Sequence, residues 1–141
     1  MSSGYLLDTN VLSEPGKRAP DPNVVAWLDS LDAGSTYLST LTIGEVAQGA
    51  ARLGARGEPY VRWLHDVMIP NYEGRILSID ARVALAWGEL RGDSVRRGRT
   101  LPVIDSLLAA TAIAHDLTLV TLNVRDFDGL PVDLVDPSRS P

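Results

Sequence analysis

The chain has no cysteine and a single lysine, Lys17. Without cysteine there are no disulfides, no thiolate zinc ligands and no thiol nucleophile, which fits a cytoplasmic protein. Histidine is scarce as well. His65 and His115 are the two present, so a histidine-rich metal site is excluded. Both read as structural, and His115 falls at a helix C-terminus, where a cation is favoured. No apolar run approaches the roughly 18–20 residues of a membrane span. The N-terminus lacks a basic region followed by an apolar stretch, so no signal peptide is expected. There is no internal repeat, low-complexity tract or domain linker.

What is present suits one domain. A length of 141 residues is enough for a real core. One domain is expected over residues 1–137, with 138–141 as a frayed tail. The net charge of −5 counts against the broad basic footprint of a nucleic-acid binder. A site built of several carboxylates contributes to that negative charge, and a bound divalent cation would partly offset it. Arginine outnumbers lysine twelve to one. Arginine is the better residue for bidentate phosphate contact, although compositional bias of a source genome gives the same imbalance.

Periodicity alternates strand and helix along the chain. Tyr5-Leu6-Leu7 is a short apolar run ended by Asp8, Thr9 and Asn10, which reads as a buried strand turning into a short helix stopped by Pro15-Gly16. Pro22 suits a first helical turn, with Val24, Val25, Trp27, Leu28 and Leu31 as an apolar stripe to about Asp32. Thr36 to Ser39 is a second strand. Thr42 opens a helix to about Leu53, and a further helix covers Pro59 to Ile69 and ends at Pro70. Arg75 to Ile79 is a third strand, and Asp80 caps a long helix to about Arg97. Pro102 to His115 is a helix apolar nearly all round, expected to be buried on most sides. Leu117 to Thr121 is a fourth strand, and Val132 to Val135 a short edge strand. Trp27, Trp63 and Trp87 sit on apolar helix faces and read as core or interface residues. The alternation implies an α/β fold, a mainly parallel sheet of four to five strands with helices on both faces.

In such a sheet the strand C-termini and the starts of the following helices share one edge, where ligands bind. Four acids map there. Asp8 ends the first strand, Glu45 is placed in the first turn of the helix after the second, and Asp105 is in the first turn of the buried helix. Asp126 follows the fourth strand, after Asn123. Each has a structural use: Asp8 as a cap, Glu45 in a Thr42-x-x-Glu45 capping box, Asp105 with the helix dipole, Asp126 in a turn. Together they would repel one another and raise their pKa values. A hard divalent cation relieves that conflict, and an all-oxygen set favours Mg2+ or Mn2+. Such a site suits phosphodiester hydrolysis.

The stretches Leu7-Asp8-Thr9-Asn10-Val11-Leu12, Leu41-Thr42-Ile43-Gly44-Glu45-Val46, Asp105 with Leu108-Ala109-Ala110-Thr111-Ala112, and Leu119 to Phe127 resemble those of PIN-domain ribonucleases, in particular the VapC and FitB-like toxins of toxin–antitoxin pairs. The resemblance covers nearly the whole chain in order and spacing. It implies a three-layer α/β/α sandwich. It also implies an Mg2+- or Mn2+-dependent endoribonuclease in which Asp8, Glu45, Asp105 and Asp126 hold the metal and position water. Thr9 or Asn10 and Asn123 would orient those acids. Some members carry Asp at the position of Asn123, which leaves its division of labour with Asp126 open. The resemblance further implies a homodimer, an RNA substrate and an antitoxin whose C-terminal segment wraps the toxin and reaches its site. Arg91, Arg96, Arg97 and Arg99 would contact RNA phosphate or the antitoxin. Their alternative use is a solvated helix end.

Two other readings compete. One is a PIN-like module that binds RNA or protein without cutting. The other is a phosphotransfer enzyme or receiver, which also places an Asp after the first strand. Asn10 stands where a haloacid-dehalogenase-like enzyme carries a second Asp, and no lysine other than Lys17 exists to serve such a site.

Overall fold

Each strand of the first sheet pair alternates its side chains between two cores. β1 (Tyr5–Leu7) pairs in parallel with β2 (Thr36–Ser39) on one side and with β4 (Thr118–Val120) on the other. Leu6 and Leu119 face one core with Leu90, Leu108 and Phe127. Leu7 and Val120 face the other with Val11, Leu38, Leu64 and Met68. This is the period-two alternation of a strand buried on both faces. The computed structural model describes residues 4–139.

The elements follow in order. After β1 come α1 (Thr9–Leu12), a 3-10 turn at Glu14–Gly16 and α2 (Pro22–Asp29). Glu14 is buried, and its carboxylate is held below the ordinary range by the Asp21 N–H first and then by Lys17. After β2 come α3 (Thr40–Arg52), α4 (Glu58–Trp63), a π turn at Leu64–Met68 and α5 (Ile69–Asn71). Then come β3 (Ile76–Leu77), α6 (Ala81–Arg96), α7 (Val103–Ala114), β4 and β5 (Leu134–Val135). All strands are parallel, in the order β3-β2-β1-β4-β5. The helices pack on both faces, giving the three-layer α/β/α sandwich expected.

The strand order fixes where a site can form. The chain steps outward from β1 to β2 and β3, then returns to place β4 on the other side of β1. The order therefore reverses between β1 and β4, and the crevice beyond their C-terminal ends is the switch point of the sheet. Asp8 ends β1 there, and Thr121 ends β4.

Several boundaries differ from the sequence expectation. Ser39 caps α3, accepting from the Leu41 N–H at 3.0 Å, so the helix begins at Thr40. Thr42 therefore lies inside the first turn, fully buried, and makes no capping box; Glu45 falls in the second turn, not the first. Pro70 does not end its helix. The Ile69 N–H bonds to the Leu64 carbonyl across the wider π turn, and the helix runs on to Asn71. The start of α7 is less buried than its composition implies, with Val103 and Ile104 exposed. Trp87 Nε1 donates to Ser106 Oγ at 2.9 Å, tying that first turn to α6. Trp27 and Trp63 pack against the Leu7 core, and Trp27 meets Tyr5 edge-on. His115 is held below its ordinary pKa by burial and then by Arg82, so the expected cation at that helix end is disfavoured. The chain end is tied further than expected: Asn23 Nδ2 donates to Ser138 O and Arg139 pairs with Asp136. Residues 140 and 141 of the expected tail lie outside the described residues. Among the described residues no helix is long and apolar enough to cross a membrane.

Gly57 marks the closest approach of the helices on the α3 face. A Cβ there would lie 2.0 Å from the Ala50 carbonyl oxygen, so backbone must shift to admit it. Gly57→Ala is expected to destabilise the fold by about 1–3 kcal/mol, as overpacking does. Urea unfolding measures this, and unchanged stability would show that the contact yields freely.

Candidate active site

Asp8 is the N-cap of α1 and is half buried in the crevice. Its Oδ1 accepts from the Thr9 N–H at 2.7 Å, and its Oδ2 accepts from Thr121 Oγ1 at 2.9 Å. Its own N–H bonds to the Val120 carbonyl at 2.9 Å. The capping use and the site use of Asp8 thus coexist. Burial raises its pKa most; the Thr121 and Thr9 hydrogen bonds oppose this, and Glu45 and Asp105 add to it. The net direction is upward, so desolvation and like charge together outweigh two good donors.

Glu45 reaches the same place from α3. Thr9 Oγ1 donates to its Oε1 at 2.7 Å. Thr9 therefore links two acids, bonding Asp8 through its N–H and Glu45 through its hydroxyl. Asp105 is in the first turn of α7 and is half buried. Its pKa is raised by burial first, then by Asp126 and Glu45. A first-turn acid gains from the helix dipole, but here burial and neighbouring charge prevail. Asp126 lies on an exposed 3-10 turn, Val124–Phe127, whose position is fixed from below by the buried Phe127.

The sequence therefore found acids that meet. Asp8, Glu45 and Asp105 come from three elements distant in sequence, and Asp126 borders them. Two expected details change, and one residue is new. Asn10 Oδ1 accepts from the Leu122 N–H at 3.2 Å, so it joins α1 to the chain after β4 rather than orienting an acid. Asn123 contributes its main chain, donating its N–H to Thr121 Oγ1 at 3.0 Å. The orienting residue that sequence reasoning missed is Thr121, fully buried at the end of β4. It lay inside the Thr121-Leu122-Asn123 stretch, but nothing in its spacing pointed across to Asp8.

The arginines are engaged nearby. Arg96 and Arg97 both pair with Asp93, at 2.5 and 3.2 Å, and Arg91 stacks on Trp87. Arg99 Nη2 donates to the Asp126 carbonyl at 3.0 Å.

The donors around the crevice are carboxylate, hydroxyl and amide oxygens, the chemistry of a hard divalent cation. Burial raises Asp8 and Asp105 first, and the like charge that adds to it is the conflict such a cation relieves. The electrostatic neighbourhood is wider than direct ligation: among the described residues no three acids or histidines stand as a ready metal site. Carboxylates that repel one another lie apart, and Glu45 is turned to Thr9. The residues fit the ion in charge and donor type. Two cavities, of about 490 and 700 Å3, lie elsewhere, and neither is lined by any of the four acids. Glu45 and Asp126 are exposed to solvent, and Asp8 and Asp105 are half buried.

A PIN domain family model matches residues 5–131. The toxin FitB of Neisseria gonorrhoeae is 37% identical over 134 residues, covering 94% of this chain and 96% of that protein. The VapC ribonuclease Y4jK of Sinorhizobium fredii is 31% identical over 134 residues, with the same coverage of 94% and 96%. Among solved structures, FitAB bound to an IR36 DNA fragment superposes with a TM-score of 0.90 at 34% identity, covering 97% of each chain.

Asp105 yields a pH-dependent prediction. Its pKa in the fold is raised, so the folded chain holds the proton more tightly than the unfolded one, and ionisation costs stability. That cost is absent below the ordinary value of 3.8 and is complete once the pH passes the raised value. Asp105→Asn removes it. In metal-free buffer the variant should melt about 1–3 °C higher at pH 7, with the gain shrinking toward pH 4. A gain independent of pH would refute the charge explanation.

Proposed function

The chain belongs to the PIN-domain family, and from that premise we propose that it is the toxin of a toxin–antitoxin pair, acting as a metal-dependent endoribonuclease. The observation that carries the reading is the convergence of Asp8, Glu45 and Asp105 at the β1–β4 switch point, where Thr9 bridges Asp8 and Glu45 and the charge of Glu45 acts on both Asp8 and Asp105. The FitB and VapC ribonuclease relatives support the toxin and nuclease parts of the reading. The matched FitAB structure and a toxin–antitoxin complex from Klebsiella pneumoniae, 27% identical with a TM-score of 0.70, support an antitoxin partner; the proposal adds that its C-terminal segment reaches the site.

Asp8, Glu45, Asp105 and Asp126 would hold Mg2+ or Mn2+. When bound, such an ion lowers the pKa of water and stabilises charge on phosphoryl oxygens. The rest of the work falls to the chain. The Thr9 N–H and Thr121 hydroxyl fix the two oxygens of Asp8, and the Thr9 hydroxyl fixes Glu45. Asp105 rides on a helix locked to α6 through Trp87 and Ser106. The substrate is an RNA strand laid across the open edge. We also propose a homodimer, supported by exposed Leu85, Val95, Val103 and Ile104 on α6 and α7.

Purified antitoxin-free protein is expected to cut structured RNA at discrete positions with Mg2+ or Mn2+ and not with EDTA. Asp8→Ala and Asp105→Ala should abolish cutting without unfolding the chain. Metal-independent cutting, or cutting by either variant, would sink the mechanism. Binding of RNA without cutting by the wild type would favour the non-catalytic module. Thr121→Val keeps the shape of the side chain and loses both of its hydrogen bonds. It should lower the cleavage rate about 10–100-fold, the usual cost of removing a ligand-orienting partner. An unchanged rate would show that Thr121 serves packing alone.

A further inference from the structure

Arg99 sits on the connection between α6 and α7, ahead of Asp105. Its backbone is fixed by the end of α6: its N–H donates to the Ser94 carbonyl at 2.8 Å, and Gly98 before it takes a left-handed φ of 78°. From there the guanidinium reaches the turn that carries Asp126. Nη2 donates to the Asp126 carbonyl at 3.0 Å, and Nη1 donates to the Asp128 carbonyl. Gly129 follows with φ 78°, and a Cβ there would lie 3.7 Å from Arg99 Nη1, so the turn bends closely past the guanidinium.

These bonds end on main-chain carbonyls, not on the Asp126 carboxylate, whose oxygens stay available. They also meet a specific mechanical need. Asp126 and Asp105 carry like charge within interacting range. The turn is exposed at Arg125, Asp126 and Asp128, and like charge opposes the approach of Asp126 to Asp105. At its start the turn is fixed by the Asn123 N–H on Thr121. At its far end the buried Phe127 anchors it from below, and the fork of Arg99 holds its exposed carbonyls from the side. A lysine has one compact ammonium and cannot reproduce two N–H groups in a rigid plane.

We propose that Arg99 is a positioning residue. Its guanidinium clamps the 124–128 turn to the α6–α7 connection and so sets the Asp126 carboxylate opposite Asp105, in place of a direct contact with RNA phosphate. The proposal rests on the nuclease reading for its kinetic consequence but not for its structural one.

Arg99→Lys and Arg99→Gln separate charge from fork. Three measurements apply to the full chain: amide hydrogen exchange across 124–130, Mn2+ affinity without RNA, and steady-state cleavage. The clamp predicts faster exchange at Asp128 and Leu130 in both variants, with β1 and β4 amides unchanged. It predicts Mn2+ affinity and kcat lowered about 10–100-fold with KM held, and no rescue by lysine. Unchanged exchange in both variants overturns the proposal. So does a raised KM in Arg99→Gln that lysine restores at constant kcat and Mn2+ affinity, since that is a phosphate contact. If the wild type neither binds Mn2+ nor cuts RNA, the nuclease reading fails, and hydrogen exchange alone still decides the clamp.

Discussion

A carboxylate half buried at the end of a central strand sets the terms for everything around it. Asp8 cannot move, because β1 is paired on both sides and its own N–H is bound to Val120. It cannot be fully solvated, because α1 turns over it. The structure answers with two donors, one on each carboxylate oxygen, from Thr9 and Thr121. Even so, the balance stays on the side of a raised pKa. A chain selected for stability alone has no reason to bring Glu45 and Asp105 toward such a group. Half-buried carboxylates with like charge beside them, only partly compensated, mark a candidate site for a cation or a reacting proton.

The fold was legible because its signals are local. Short apolar runs ending in polar residues give strands, and the stripes between them give helices. Alternation of the two gives a parallel sheet with a switch point. Asp8 and Asp105 were legible for the same reason, being tied to the end of an apolar run and to the start of an apolar helix. Glu45 lies beside Asp8, but the local argument for its place in the helix was wrong. Ser39 and Thr42 both look like caps. Ser39 wins because β2 ends there, and β2 ends there because β1 and β3 flank it, which is tertiary information.

Thr121 and Arg99 were not legible as orienting residues because their bonds join positions far apart in sequence to groups that carry no sequence pattern. A threonine at a strand end and an arginine after a helix are both unremarkable. Thr121 acquires its role from the parallel pairing of β4 with β1, which sets its hydroxyl beside Asp8. Arg99 acquires its own from a helix end and a turn that meet in space. The same reasoning explains Pro70. Its ring breaks a regular helix, but a π turn just before it supplies a wider bond pattern that no propensity scale anticipates.

The arginine excess also takes on a structural meaning. Arg75 donates to the carbonyls of Ala33, Thr36 and Asn71, each at 2.6 Å, joining the ends of three segments around β2 and β3. Arg82 donates to the Ala114 carbonyl at the end of α7, and Arg99 to the turn after β4. In each case a planar fork satisfies main-chain oxygens left over where an element stops, a task that one lysine ammonium performs poorly. These arginines are committed to holding the scaffold. Arg96 and Arg97 are committed to Asp93. The excess therefore does not measure affinity for phosphate. A net charge of −5 also counts against a broad electrostatic attraction to RNA. On the proposed nuclease reading, RNA would be held at the carboxylate edge itself, where a divalent cation would turn a repulsive surface into an attractive one.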